Sequence, residues 1–240
     1  MQNSMQYPRM TESDIDRLQT LLGDVPRGLL SYFDAISDGT FSGCFQREIN
    51  LLPLQDSLRV TESLIDQPVI QSLGGLVLDD ANTSNFHVYL TSPALKGFIL
   101  YLSHDGDTRA VYASIEDFLA AARSALTQSS FSWEDEHPKA APLAIDQKAL
   151  SQLVVTALEE DDSSTLTALI PCMDLSDIPL LRRLAVDADF YFGEAVAEAV
   201  RLRPSLELLE IAELCISHKH PQVSDVGRKA RSAIDQASAI

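Results

Sequence analysis

The chain has 240 residues, 45% hydrophobic and 22% charged, which is enough apolar content to bury a core in one large domain or two small ones. Eighteen bases against thirty-five acids give a formal net charge of −17. That balance repels phosphate backbones and anionic bilayers, so it argues against nucleic-acid or membrane binding and toward a basic protein partner.

The first ten residues, MQNSMQYPRM, carry no apolar stretch of a secretion signal, and no apolar run reaches the roughly 18 residues that span a bilayer. Cys44, Cys172 and Cys215 are odd in number and far apart, a pattern of reduced, buried thiols rather than of a disulfide framework. The expected location is the cytoplasm.

In chain order, Thr11 to Leu22 reads as a helix. Thr11 or Ser13 caps it, Glu12 and Asp14 suit its positive end, Ile15, Leu18, Leu21 and Leu22 share a face, and Gly23 stops it. Pro26 opens a second helix through Leu29, Leu30, Phe33 and Ile36. Cys44 to Leu52 reads as a short strand, and Pro53 starts a helix carrying Leu54 and Leu58. Leu73 to Asp80 reads as a strand interrupted by Gly74-Gly75, and Phe86 to Leu90 as another strand. Gly97 to Leu102 and Arg109 to Ala113 are strands joined by the Asp105-Gly106 turn, with Val111 on one face and Ala110 and Tyr112 on the other. Ser114, with Asp117 three residues on, is a capping box for a helix whose buried stripe is Ile115, Phe118, Leu119 and Ala122.

Beyond Leu126 the chain turns polar, acidic and proline-containing, so residues 128–144 read as a linker on which Phe131 and Trp133 supply apolar docking points. From residue 145 onward only helical periodicity recurs, near 146–160, 163–170, 177–188, 190–202, 204–217 and 221–237. Short helices with tight joints predict antiparallel helix pairs, a helical-repeat-like domain. The expected organisation is therefore an α+β domain at 1–127, a linker at 128–144 and an all-α domain at 145–240.

No catalytic, cofactor or metal constellation is legible. Ser103-His104-Asp105-Gly106-Asp107 lies between two strands and lacks the further ligands of a metal site or a calcium loop, so it reads as a turn. His218 and His220 do not share a helical face and read as a solvent-exposed junction. There is no nucleophile elbow, phosphate loop or dinucleotide fingerprint. The acidic groups remain: Asp79-Asp80, Asp105 and Asp107, Glu134-Asp135-Glu136 and Glu159-Glu160-Asp161-Asp162. Paired carboxylates can do acid–base work, but runs like these more often make solvated loops, and their functional reading is a negative face for a basic protein surface.

Two stretches carry a family resemblance. ESDIDRLQTLLGDVPRGLLSYFDAISDG has an acidic first helix, a proline-initiated second helix and a terminal glycine. NFHVYLTSPALKGFILYLSHDGDTRAVYASIEDFLAAA has two strands flanking a polar turn, then a serine-capped helix. Over residues 11–126 the chain resembles the SUKH superfamily, whereas the helical residues 145–240 lie outside the match and the tryptophan- or tyrosine-rich middle of that family has no counterpart. The resemblance implies an α+β fold, a mostly antiparallel sheet with packed helices. It also implies a non-enzymatic immunity protein that neutralises a polymorphic or contact-delivered bacterial toxin, or a regulatory scaffold. The expectation for this chain is a toxin-binding immunity protein acting by occlusion and charge complementarity through a composite acidic face. Asp79, Asp80, Asp105 and Asp107 would supply the first domain's part of that face, and Glu159, Glu160, Asp161 and Asp162 the second domain's. The alternatives are a scaffold without a toxin partner and a hydrolase using scattered carboxylates.

Overall fold

A computed structural model describes residues 10–127 and 137–239. The chain divides into two compact units, Met1–Lys139 and Ala140–Ile240. The boundary between them falls inside the expected linker. His137 to Lys139 belong to the first unit and residues 140–144 to the second, while Phe131, Trp133 and the Glu134–Glu136 run lie outside the described residues.

The first unit is α+β. Helix α1 (Glu12–Leu22) begins in a complete capping box, in which Thr11 and Asp14 each satisfy the other's backbone N–H. Helix α2 (Arg27–Ile36) starts one residue after Pro26 and buries Leu29, Tyr32, Phe33 and Ile36. Helix α3 (Leu54–Ser63) follows Pro53, and α4 (Pro68–Leu73), absent from the sequence reading, is capped by the Gln67 side chain. Gly74, at φ +62, closes α4 and packs against Thr91, so the glycine pair marks the end of a helix rather than a break inside a strand.

Four antiparallel strands form one sheet in the order β1 (Gly75–Val77), β2 (Phe86–Leu90), β3 (Ile99–Leu102) and β4 (Arg109–Tyr112). Helix α3 covers the outer edge of β1, where the Val77 N–H donates to Thr61 Oγ1 and Ser57 Oγ donates to the Val77 carbonyl. An edge strand satisfied this way is closed to pairing with another chain. A register shift between Ile99 and Leu100 sets Tyr112 opposite Ile99 while Arg109 stays opposite Tyr101. This corrects the simple alternation expected for β4: Val111 and Tyr112 join the same core cluster and Ala110 does not. Helix α5 (Ile115–Thr127), capped by Ser114 and Asp117 as expected, packs on α2 and β4.

The strand expected at residues 44–52 does not form. Phe45–Arg47 make a 3-10 turn, Glu48 adopts a left-handed φ of 55°, and only isolated bridges, Cys44 to Ile49 and Leu51 to Asp79, remain. Left-handed backbone at a non-glycine residue breaks an extended run that hydrophobic alternation alone would continue.

The second unit is helical, with α6 (Gln147–Glu159), α7 (Ser163–Leu169), α8 (Ile178–Ala185), α9 (Phe190–Leu202), α10 (Leu209–Ile216) and α11 (Pro221–Ala237), and no strand occurs among its described residues. Asp146, Asp162, Asp177 and Asp189 cap four of these starts, each side chain accepting a backbone N–H of the first turn. Neighbours pair as α6–α7, α8–α9 and α10–α11, while α7 packs on α9, α9 on α11 and α8 on α10. That is the layout of stacked helix hairpins, each roughly 30 residues long, in which one hairpin covers the apolar face of the next. Gly227 of α11 lets the helices approach closely: a Cβ there would stand 2.7 Å from the Ile216 nitrogen and 2.9 Å from the Cys215 carbonyl carbon.

Candidate functional site

The structure separates the predicted acidic residues by what their carboxylates already do. Asp79 is a correction: it is 3% exposed, not a surface group. Its Oδ1 accepts the His87 backbone N–H at 2.6 Å and its Oδ2 accepts from His87 Nδ1 at 2.7 Å. Asp80 is half-buried and accepts the Asn82 N–H at 3.0 Å, which shapes the turn between β1 and β2. Asp162 is half-buried and spent on the α7 cap. Asp161 is exposed and holds the left-handed turn between α6 and α7 at φ 56°. Asp107 is exposed and stands 3.4 Å from Arg109 Nε.

Glu159, Glu160 and Asp105, like Asp161, leave their carboxylates unengaged. All four are exposed, and none forms an ion pair or side-chain hydrogen bond with the described residues. Glu159 ends α6 and Glu160 follows as its C-cap. Negative charge at that end opposes the helix dipole, so helix formation gives no reason for these two acids. Asp105 sits in the exposed Ser103–Asp107 turn, its N–H donating to Ser103 Oγ at 3.1 Å, and His104 beside it is exposed too. The turn reading of this stretch holds.

The chemistry that the sequence reading missed lies in the core of the first unit. His87, on β2, is 3% exposed, and His137 is 8% exposed. Their Nε2 atoms are 2.9 Å apart. Tyr101 and Tyr112 flank them, with ring centroids 4.7 and 5.9 Å from that of His137, and Phe118 packs at 5.1 Å from His87. An ionised Asp79 can only accept, so His87 Nδ1 carries a proton, and one further proton lies between the two Nε2 atoms. Burial, then the charges of His87 and Arg109, push the His137 ring down to about 2. Neutral imidazole therefore suits this place.

Beside the pair, Glu48, Thr83, Asn85 and Tyr101 with Asp79 and His87 line a recess that has room for about one water molecule. Among the described residues no three metal-ligating side chains come together. A lone histidine inside an apolar strand and an Asp-Asp pair at its neighbour's end were the only sequence signals, and His137 is too distant in sequence to be linked to either.

Cys172 and Cys215 are buried as expected, and burial pushes the Cys215 thiol up to about 12, away from thiolate chemistry; Cys44 is only half-buried. The His218–His220 junction is half-buried rather than exposed. His218 Nδ1 accepts the His220 N–H at 3.0 Å, its Nε2 donates to the Asp187 carbonyl at 3.0 Å, and the His220 ring stacks on Phe190 at 3.8 Å. Comparison with family models, curated proteins and solved structures gives no match to this chain. No helix among the described residues is long and apolar enough to cross a membrane.

Proposed function

We propose that this protein is a SUKH-like immunity protein that binds a basic bacterial toxin and blocks it by occlusion and charge complementarity. The observation that carries the reading is the set of exposed carboxylates without a folding role, Glu159 and Glu160 at the wrong end of α6 and Asp105 on the β3–β4 turn. Unpaired negative charge on each unit's surface gains from a positive partner, through faster encounter and through register. The α+β first unit agrees with the fold that the resemblance implies. Asp107 and Asp161 extend the two acidic loops, each within its own unit; Asp79 is withdrawn from the interface because it is buried.

The test is co-expression with the product of the adjacent gene. The account expects co-purification, rescue of growth from that product's toxicity, and loss of rescue on Glu159→Lys, Glu160→Lys and Asp105→Lys combined. An adjacent product that is harmless yet still binds the chain would favour the scaffold reading. The buried Asp79–His87 pair is the one feature that favours a hydrolase. Turnover abolished by His87→Gln in a folded protein would establish that alternative and end the immunity reading.

A further inference from the structure

We infer that the contact of His137 with His87 is an acid-released latch, holding residues 137–139 against the sheet at neutral pH and letting them go as His137 takes up a proton. The inference does not depend on the proposed function.

Its first support is geometric. Two Nε2 atoms 2.9 Å apart share one proton: either His137 donates to His87 or His87 donates to His137. Both arrangements hold the segment. Because Asp79 takes His87 Nδ1, only Nε2 of that ring meets His137, and a protonated His137 would hold its charge in a buried place beside Arg109. The second support is what surrounds the pair. Asp79 faces His87 from the β1–β2 connection and Glu48 lines the same recess. Tyr101 and Tyr112 face His137 from β3 and β4, and Arg109 of β4 donates from Nη1 to the Pro138 carbonyl at 2.8 Å. Among the described residues the carboxylate bonded to the pair is on the His87 side, while His137 has a guanidinium nearby and no described acid in contact. Asp79 can compensate a charge on His87, and nothing described compensates one on His137. The third support is burial: His137 is 8% exposed while Pro138 and Lys139 are exposed, so the ring is the anchor of this stretch.

The thermodynamic consequence has a definite sign. The ordinary histidine value is 6.5, and docking lowers that of His137 to about 2. The released state binds the proton more readily, so docking has its full strength above about 6.5. Between there and the folded value, the equilibrium for release rises about tenfold with each unit of falling pH.

Trp133, the only tryptophan, lies four residues before His137 in sequence and supplies a reporter in the full-length protein. Its emission is followed from pH 7.5 downward together with far-UV circular dichroism and the imidazole 15N signals of His137. The expected result is a change in emission below about pH 6.5 that coincides with protonation of His137 and leaves helix content intact. His137→Gln keeps an N–H donor toward His87 and cannot titrate, so it should abolish that transition. Four results would overturn the latch: constant emission, a change out of step with the His137 ring, the same transition in His137→Gln, or loss of helix content in parallel with the emission change.

Discussion

The two units handle polar groups in opposite ways. The first takes a carboxylate, two imidazoles, a serine and a threonine into its core and satisfies them there: Asp79, His87, His137, Ser57 and Thr61. The second buries one hydroxyl, Thr165, half-buries Arg203 against the Pro171 and Met173 carbonyls, and keeps its carboxylates in helix caps and in ion pairs such as Arg182–Glu210 and Arg231–Asp235. A buried pair costs little while complete and much when one partner is removed, whereas a rim pair is screened and contributes little either way. The first unit should therefore fail on single substitutions and on pH, and the second on packing and capping.

The largest effect should come from Asp79→Ala, which removes the acceptor of the His87 N–H and Nδ1. A loss of about 3–5 kcal/mol, read by denaturant unfolding of the first unit, is expected. A loss within error of zero would show that the Asp79–His87 pair does not support the core. Next is Gly227→Val in the second unit. Its side chain would press on the Cys215–Ile216 backbone, and overpacking of about 1–3 kcal/mol or more is expected, measured as a lower unfolding midpoint of the helical unit.

Acid should separate the units in the same way. Because His137 is held neutral down to about 2 instead of 6.5, its contribution is present above 6.5 and declines below it, by about 1.4 kcal/mol per pH unit. Calorimetry between pH 7 and 5 should lower the first unit's transition and leave the second nearly still; equal shifts would dissolve the contrast. Asp162→Ala, which removes the α7 cap, should cost the second unit about 1 kcal/mol. Smallest, and opposite in sign, is Glu159→Lys with Glu160→Lys. Reversing charge at the end of α6 should raise stability by about 0.5 kcal/mol while weakening partner binding, which would separate a binding role from a structural one.

The contrast also explains what could be read without coordinates. The helical unit was legible almost throughout, because each helix announces itself locally. Asp146, Asp162, Asp177 and Asp189 precede apolar runs of helical period, and Pro221 opens the last helix. The hairpin stacking was not legible as a period, since the apolar positions are met by partners and not by repeated motifs. In the first unit the Phe86–Leu90 strand and the Ser114 cap were readable for the same local reason. Residues 44–52 were not, because the decisive feature is the left-handed backbone at Glu48.

Among the acidic residues, Asp79 and Asp80 look alike in sequence. Only the hairpin that returns His87 beside Asp79 separates a core hydrogen-bond acceptor from a loop carboxylate. The Asp79–His87–His137 cluster joins residues from the β1–β2 connection, the start of β2 and the chain beyond α5, a closure that no local pattern encodes.

The most direct measurement is the affinity of the full-length protein for the purified product of the adjacent gene, with and without Glu159→Lys, Glu160→Lys and Asp105→Lys, at low and high salt. The account predicts tight binding that weakens as salt rises, and a variant that folds normally, binds at least tenfold more weakly and loses most of the salt dependence. Equal affinity of the two proteins at every salt concentration would contradict it.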